Sequence, residues 1–339
     1  MRDAAGVGSR LVLGVDLGGT KVRAALADSN GEVRAELVEP ADARVPGALA
    51  VQVRRMLGEL RSQAGVADPR DVRAAGFALP VTIHPLTGAI GSFHNVPGLR
   101  GTDPRDELAT ALGIPVAVGN DADLAALAEG RHGAAIGERD YVVVAIGTGI
   151  GMGIVAGGLL VRGSRGRAGE IGYLPLGADP TERESLRAGA FERAAAGPAL
   201  RRRIDAAVAA DPAAVAADPA TALRPGASLE LVASAAHAGD DMATRVLAEE
   251  SRLIAEGIAA VAAVLDPAVV VLSGGVGAVP ALLEPVRAAL ARLVADPPEI
   301  RTGHLGERGP LVGAIDLAQG LSDLAPGASD LARGPSDPG

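Results

Sequence analysis

The chain has 339 residues, 48% hydrophobic and 22% charged, which allows two ordered α/β domains with substantial cores. Its net charge of −9 argues against a general nucleic-acid binder, and the lack of cysteine excludes disulfides, thiolate zinc sites and cysteine nucleophiles. With no apolar run of transmembrane length and no signal-peptide pattern, the sequence predicts a cytoplasmic protein without a membrane partner.

The first predicted elements are strands. After a loose leader over residues 1–10, the apolar run Leu11–Val15 predicts a buried strand that ends at Asp16. A second strand is expected over Val22–Leu26, and a third begins near Val33. This start differs from a Rossmann unit, in which the first strand leads directly into a helix.

Helical and strand patterns alternate along the rest of the chain. The pattern predicts a helix over about Gly47–Gln63, a strand over Ala74–Leu79 and a hairpin turn at Pro85–Gly88. A strand over Ile114–Val118 ends at Gly119-Asn120-Asp121, and a helix follows through Glu129. Later elements are strands over Tyr141–Ile146 and Ile154–Val161, helices within Ser228–Val264 and a strand over Ala268–Leu272. A strand, a glycine turn and another strand occur twice, near Gly18 and Gly149. This internal echo predicts two related domains.

Three segments have biased composition. The heptapeptide at 207–213 recurs at 214–220, and because each Asp-Pro interrupts a helix we interpret residues near 207–226 as a low-complexity surface insertion. The tail over 321–339 is rich in Gly, Pro, Ser and Asp and is predicted to be disordered. The basic run Arg201–Arg203 is interpreted as a solvated helix face.

The segment from Asp16 to Lys21 has the features of a phosphate site. Gly18 and Gly19 follow a strand and let backbone N–H groups approach phosphate oxygens, and Thr20 adds a hydroxyl donor. Asp16, at the strand end, is placed to hold a magnesium-bound water. A plain hairpin turn is the alternative, and the chain contains no Walker A sequence.

A second glycine segment is a candidate phosphate cradle. Gly147, Thr148 and Gly149 form a turn between predicted strands, and Gly151 belongs to the same segment. A dinucleotide fingerprint fits loosely from Gly151 to Ala156, but it requires a helix after the turn, where the sequence predicts a strand.

A third glycine segment, Ser273–Gly277, follows a predicted strand and precedes a helical stretch that begins near Pro280. Gly274 and Gly275 would let an adenosine pack flat against the backbone. A structural strand-to-helix turn explains the same glycines equally well.

Asp121 is the candidate catalytic base. It lies between a predicted strand and a helix, where an aspartate can serve as an N-cap or as a catalytic group. Glycine turns on both sides in sequence favour catalysis. In phosphoryl transfer the protein mainly positions groups and stabilises charge, so an aspartate that accepts the hydroxyl proton, with Mg²⁺ on the ATP phosphates, would suffice.

Polar side chains that could bind sugar hydroxyls lie in several motifs. The asparagines are Asn30, Asn95 and Asn120, a usage that indicates a drift removing asparagine wherever it is dispensable. Asn30 lies in a Ser-Asn-Gly turn. Asn95 and Asn120, with Glu170 between glycines and Glu192 on a predicted helix, form a candidate hydroxyl-binding set. Glu192 considered alone fits a surface charge.

Four segments resemble, in order and spacing, the motifs of the ROK family of bacterial repressors, open reading frames and sugar kinases: Leu13–Lys21, Gly119–Ala122, Gly147–Gly153 and Ala168–Gly172. The resemblance runs from about Leu11 to Ala318. It implies the actin-like ATPase (ribonuclease-H-like) fold, with two α/β domains flanking an interdomain cleft for ATP and sugar. The expected domains are a small one over 11–118, completed by a C-terminal helix near 310–320, and a large one over 119–309. The family also implies a homodimer.

The resemblance gives roles to the motif residues. It implies a first phosphate motif with Asp16, Gly18, Gly19 and Thr20, in which Lys21 has no assigned role, and a second phosphate motif over Gly147–Gly151. It implies an adenosine motif with Gly274 and Gly275. It also implies that Asp121 is the base and that Asn95, Asn120 and Glu170 contact the sugar.

This chain departs from the family pattern near the sugar residues. Tyr173 stands where many members have a histidine that contacts sugar and ligates a structural zinc. As a sugar residue Tyr173 would still hydrogen-bond a hydroxyl, but with a different reach, which bears on the preference for glucose. The zinc-binding cysteine positions hold Arg183, Ser185 and Ala190, although Glu192 remains. The sequence therefore predicts no structural zinc and a loop that is held by packing. Two smaller departures are Val81 for a usual glycine and Asp123 for a common asparagine.

The sequence thus predicts an ATP- and Mg²⁺-dependent phosphotransferase that acts on a hexose such as glucose or on an N-acyl hexosamine. One alternative is a sugar-sensing regulator of the same family, for which the ten residues before Leu11 are too few to form a DNA-binding domain. The other is a catalytically idle sugar-binding relative, which the altered Tyr173 region suggests.

Overall fold

The computed structural model describes residues 10–42, 45–91, 103–210 and 223–323. Within these ranges the chain divides into two compact units. The first takes the described residues of Met1–Ala128, Arg162–Ala168 and Arg308–Gly339, and the second takes those of Glu129–Val161 and Gly169–Glu307. The first unit therefore includes the C-terminal helix, and the division falls after Ala128 rather than after residue 118.

Strands and helices are numbered in chain order over the described residues. The strands are β1 (Leu11–Leu17), β2 (Lys21–Ala27), β3 (Val33–Pro40), β4 (Val72–Leu79), β5 (Thr82–Ile83), β6 (Ile90–Gly91), β7 (Val116–Asn120), β8 (Tyr141–Ile146), β9 (Ile150–Ala156), β10 (Leu159–Leu160), β11 (Val269–Ser273) and β12 (Glu299–Thr302). The helices are α1 (Ala48–Gln63), α2 (Pro104–Leu112), α3 (Asp121–His132), α4 (Arg183–Ala188), α5 (Ala190–Ala195), α6 (Gly197–Ala210), α7 (Leu229–His237), α8 (Asp241–Leu265), α9 (Gly274–Gly277), α10 (Leu283–Leu290) and α11 (Gly309–Asp323).

The first unit is built on a five-stranded sheet in the order β3-β2-β1-β4-β7. Short turns join β1 to β2 and β2 to β3, so these pairs are antiparallel, whereas β4 and β7 run parallel to β1 because the chain returns through helices. The predicted Pro85–Gly88 turn closes the small β5-β6 hairpin. Nearly every side chain of β1 is buried, as expected for a strand covered on both faces.

Helices cover both faces of this sheet. Leu13 and Phe77 belong to the core that α1 covers with Met56. On the other face α11 packs very closely, because a Cβ atom added to Gly76 would lie 2.0 Å from the Ala314 carbonyl oxygen. Glycine in β4 therefore allows the C-terminal helix to lie directly against the sheet backbone.

The second unit repeats the same topology. Its sheet has the order β10-β9-β8-β11-β12, with β8-β9 and β9-β10 antiparallel and β8-β11 and β11-β12 parallel. Position by position this is the strand order of the first sheet. The prediction of two related α/β domains is therefore confirmed.

Several predicted segments differ in extent from the structure. Strand β9 begins at Ile150, earlier than the predicted start at Ile154, because Ile150 already pairs with Ile146 across the hairpin. Helix α6 continues to Ala210, so the first residues of the predicted 207–226 insertion are helical. Helix α11 likewise continues to Asp323, so residues 321–323 of the predicted disordered tail are helical. The rest of the 207–226 segment up to residue 222, and the tail beyond Asp323, lie outside the described residues. Over the described ranges, no helix combines the length and the apolar character needed to cross a bilayer.

Candidate functional site

Two of the predicted carboxylates share one edge of the first sheet. Asp16 pairs with Ala78 across β1-β4, and Ala78 pairs with Gly119 across β4-β7. Because β1, β4 and β7 are parallel, their carboxyl ends lie at the same edge. Asp16 and Asp121 are thus about two strand spacings, roughly 10 Å, apart along this edge. Both residues are partly buried.

Asn120, rather than Asp121, caps helix α3. The Asn120 Oδ1 atom accepts a hydrogen bond from the Asp123 N–H at 2.9 Å, and its Nδ2 donates to the Val81 carbonyl at 3.0 Å. Asp121 is the first helical residue, and its Oδ1 accepts from the Ala122 N–H at 2.8 Å. The N-cap alternative for Asp121 is therefore wrong. Its carboxylate lies in the first turn of α3, at the positive end of the helix dipole.

The first glycine turn joins β1 to β2 and is open to solvent. The Gly18 N–H donates to the Lys21 carbonyl at 2.9 Å, and the Thr20 carbonyl accepts from the Ala41 N–H at 3.0 Å. Gly19, Thr20 and Lys21 are exposed. The backbone and hydroxyl donors predicted for a phosphate group thus lie on an accessible three-residue turn.

The second glycine turn joins β8 to β9 and is shorter than predicted. The Gly147 N–H donates to the Gly149 carbonyl at 2.9 Å, and Thr148 is exposed between them. The Gly197 N–H, at the start of α6, donates to the Gly147 carbonyl at 2.8 Å. Gly151 lies within β9, paired with Ala145, so it is a strand residue and not part of the loop. Since a strand follows the turn, the dinucleotide fingerprint is excluded.

The third glycine segment lies beside the second. Strand β11 is parallel to β8 with Ser273 opposite Ala145, so the chain leaves both strands at the same sheet edge. Gly274 has a φ of 80°, and a Cβ atom there would lie 2.6 Å from the Ile146 carbonyl oxygen. A short helix, α9, begins at Gly274, and the helical stretch predicted near Pro280 is present as a 3-10 turn over Pro280–Leu282 that leads into α10.

Three predicted sugar residues surround the start of β9 in the second unit. The Glu192 Oε2 atom, on α5, accepts from the Ile150 N–H at 2.9 Å. Burial raises the pKa of Glu192, the hydrogen bond from Ile150 opposes this rise, and the charge of Glu170 adds to it. Glu170 is exposed at the start of a single helical turn over Ile171–Tyr173, and the Tyr173 hydroxyl donates to the Arg187 carbonyl at 3.0 Å. Asn95 lies outside the described residues.

The residues at the zinc-motif positions do not fit a zinc ion. Arg183 is exposed, Ala190 has no donor atom, and the buried Ser185 hydroxyl contacts the Arg193 guanidinium at 2.5 Å. The Tyr173 hydroxyl donates its hydrogen bond to the Arg187 carbonyl oxygen. Zinc needs several thiolate, imidazole or carboxylate ligands in a tetrahedral set, and these side chains do not supply one.

Sequence reasoning missed two buried carboxylates. Glu129 on α3 is fully buried, and it accepts from the Ala134 N–H at 2.7 Å and the Leu305 N–H at 3.0 Å. Glu250 on α8 is also fully buried and pairs with Arg203. The interpretation of Arg201–Arg203 as a solvated face is therefore wrong for Arg203. Periodicity carries no signal for such long-range partners.

These features define the class of protein. Two α/β units with the same strand order, each starting with a hairpin whose turn contains glycines, form the actin-like ATPase fold of sugar kinases. The chain belongs to the ROK family, whose model matches residues 12–320.

Named relatives cover nearly all of the matched region. The bifunctional enzyme NanE/NanK of Brucella suis is 33% identical over 314 residues, which are 91% of this chain and 53% of that enzyme, so the chain spans about half of its length. The N-acetylmannosamine kinase of Salmonella typhi is 30% identical, with 91% of this chain and 98% of the relative covered. A solved ROK glucokinase from Streptomyces griseus, in complex with glucose and AMPPNP, has a TM-score of 0.75 at 27% identity and covers 91% of this chain and 99% of its own.

Proposed function

We propose that the protein is an ATP-dependent sugar kinase that phosphorylates a hydroxyl of a hexose such as glucose or of an N-acyl hexosamine. The observation that carries the proposal is the shared sheet edge, where Asp121 and Asp16 lie beside the glycine turn of the first hairpin. The ROK kinases named above support the same activity.

Asp121 is the general base in this proposal. Its carboxylate accepts the proton of the attacking sugar hydroxyl while the sugar oxygen bonds to the γ-phosphorus. The bond between that phosphorus and the β-γ bridging oxygen breaks, and ADP leaves with the electron pair. A partly buried carboxylate at the start of α3 is held in place by the helix, so it needs little reorganisation during the reaction.

The glycine turns bind the nucleotide in this proposal. In the first turn the backbone N–H groups of Gly19 and Thr20 and the Thr20 hydroxyl donate to phosphate oxygens, and in the second turn those of Thr148 and Gly149 and the Thr148 hydroxyl do so. Gly18 and Gly147 shape the turns, because their own N–H groups bond to carbonyls within them. Gly274 and Gly275 present bare backbone to the adenosine, and Lys21 adds a positive charge to the first turn. Asp16, a partly buried carboxylate at a strand end, fits a water of hydrated Mg²⁺. When bound, the cation neutralises charge on the β- and γ-phosphates.

The sugar set consists of Asn95, Asn120, Glu170, Glu192 and Tyr173 in this proposal. Asn120 is fixed by its two hydrogen bonds, which leaves the second amide hydrogen and the second lone pair for a sugar hydroxyl. Tyr173 donates its proton to the Arg187 carbonyl, so toward sugar its oxygen acts as an acceptor. A histidine in its place could donate, and the sugar preference should reflect this difference.

The Asp121→Asn variant tests the proposal. Asparagine keeps an oxygen for the Ala122 N–H but is not basic, so we expect kcat to fall by about 10²- to 10⁴-fold with an unchanged melting temperature. Sugar-dependent ADP release over a panel of hexoses and N-acyl hexosamines measures the effect. Asp241→Asn, on the exposed start of α8, is the matched control and should behave as wild type.

Wild-type protein without sugar-dependent ADP release would contradict the proposal. If calorimetry then showed sugar binding without turnover, the protein would be a catalytically idle relative.

A further inference from the structure

Two short helices of the second unit are joined by one side-chain cluster. Helices α4 and α5 meet at Gly189. The Arg193 Nη1 atom, on α5, donates to the Ser185 Oγ at 2.5 Å and to the Glu182 Oε2 at 2.7 Å. We name these three residues, Arg193, Ser185 and Glu182, the Arg193 clasp. It connects the beginning and the middle of α4 to α5.

Ser185 is the anchor of the Arg193 clasp. It is only 3% exposed, so water could not replace the hydrogen bond that its hydroxyl accepts from the charged Arg193. Removal of Arg193 would therefore leave this buried hydroxyl without its charged donor. The Glu182 side chain is 54% exposed, and an ion pair in that setting contributes little by itself. The buried hydroxyl therefore gives the cluster most of its strength.

The clasp lies next to the residues proposed to bind sugar. A Cβ atom on Gly189 would lie 2.2 Å from the Gly172 carbonyl oxygen, so the junction of α4 and α5 packs directly on the turn that contains Tyr173. The Phe191 N–H donates to the Leu174 carbonyl at 3.2 Å, and the Tyr173 hydroxyl reaches α4 at the Arg187 carbonyl. Turn, α4 and α5 thus constrain one another.

Glu192 depends on this arrangement. It immediately precedes Arg193 on α5, and its carboxylate accepts from the Ile150 N–H at the first residue of β9. A change in the orientation of α5 would move this carboxylate relative to β9 and relative to Glu170. The position of a proposed sugar ligand is therefore coupled to the Arg193 clasp.

We propose that Arg193 is a positioning residue, and that the Arg193 clasp does by hydrogen bonding what a zinc ion does in ROK relatives with the cysteine motif. Ser185 stands at one of the cysteine positions, so the anchor of the clasp replaces a metal ligand. The guanidinium joins α4 to α5 and orients Glu192 for the sugar. This inference rests on the proposed sugar kinase activity.

The main test separates sugar binding from nucleotide binding. In Arg193→Ala we expect the KM for the sugar to rise about 10-fold, because a misplaced Glu192 would lose about one hydrogen bond to the sugar, while the KM for ATP stays within about twofold. Ser185→Ala should give a smaller rise of the same kind. A single nitrogen of Arg193 makes both contacts, so Arg193→Lys should restore the wild-type sugar KM to within about threefold.

Arg183→Ala is the matched control. Arg183 also stands at a cysteine position on α4, but its side chain is exposed, so its removal should leave both KM values unchanged. The inference is overturned if Arg193→Ala matches wild type, if it changes the ATP and sugar KM values equally, or if Arg193→Lys is as impaired as Arg193→Ala. A wild type without activity would instead contradict the proposed function.

Metal content gives a readout that does not depend on activity. Elemental analysis of the purified protein by mass spectrometry should find zinc far below one atom per chain, and a zinc-selective chelator should leave the melting temperature unchanged. One zinc atom per chain together with a lower melting temperature after chelation would overturn the inference.

Discussion

The first and second glycine turns connect the strands of equivalent hairpins, β1-β2 and β8-β9, but different contacts hold them in place. The backbone of the first, at Gly18–Thr20, bonds to Lys21 and Ala41, and its tip is exposed. The second, at Gly147–Gly149, is attached to α6 through the Gly197 N–H, and the strand that follows it is attached to α5 through Glu192. The two turns have the same place in the topology and different support.

The difference shows that the same strand topology does not by itself fix a turn, and that the helices packed around each turn decide how firmly it is held. In the second unit, Arg203 extends the support because it donates to the Ala194 carbonyl on α5 and pairs with Glu250 on α8. The second turn is thus fixed by residues about fifty to a hundred positions away in sequence. We therefore expect the second turn to be the more rigid one, and the predictions below test this.

The largest effect is expected in the third glycine segment, where Gly274 packs against the backbone of Ile146 at the end of β8. In Gly274→Ala a side chain must adopt φ 80° and its Cβ atom meets the Ile146 carbonyl oxygen at 2.6 Å, so we expect the free energy of unfolding to fall by about 3 kcal/mol. Urea unfolding measures it. Gly277→Ala, whose Cβ contacts start at 3.5 Å, is the control and should cost under about 1 kcal/mol. Equal costs would mean that the close approach of Gly274 to the Ile146 carbonyl does not require a glycine.

The next effect concerns the pH dependence of the helices that support the second turn. Burial raises the pKa of Glu250 from 4.5 to about 7, against the opposing effect of Arg203. The folded state keeps a proton that the unfolded chain releases, so this stabilisation is complete below about pH 4.5 and is lost as the pH rises through about 7. Relative to Glu250→Gln, the wild type should lose on the order of 2 kcal/mol of unfolding free energy between about pH 5 and pH 8.

Glu249→Gln is the control for this pH dependence. The neighbouring Glu249 has a lowered pKa because of hydrogen bonds from Arg252 on the helix surface, so its replacement should change the slope little and in the opposite direction. Parallel curves for wild type and Glu250→Gln would mean that the ion pair with Arg203 keeps Glu250 charged over the whole range.

Local patterns predicted most of the elements and the sheet edge. The boundaries of β8, Tyr141–Ile146, match the prediction because an uninterrupted apolar run ends at glycine. The repeat of strand, glycine turn and strand predicts the duplicated topology because each copy is marked by an apolar run that ends near glycines. Asp16 was located at a strand end by the apolar run before it. These signals lie within a few residues of the feature that they predict.

The remaining contacts depend on partners that the sequence does not identify. Glu192 on α5 accepts a hydrogen bond from the Ile150 N–H, but the residues around it in sequence are of the same kind as those around a solvated surface glutamate. The local sequence therefore does not distinguish the two. The local pattern around Arg203 is likewise typical of a solvated side chain. The choice between Asn120 and Asp121 as the cap of α3 depends on where β7 ends, and that is decided by pairing with β4.

The smallest expected effect compares the two turns directly. A Cβ atom on Gly149 would lie 2.6 Å from the Glu192 Oε2, so Gly149→Ala should displace this carboxylate from the Ile150 N–H and lower the free energy of unfolding by about 1 kcal/mol. A Cβ atom on Gly18 meets nothing closer than the Lys21 carbonyl at 3.4 Å, so Gly18→Ala should stay within about 0.5 kcal/mol of wild type. In a Glu192→Ala background the cost of Gly149→Ala should disappear, because the atom that it displaces is absent. A cost that persists there would show that the second turn is not held through Glu192.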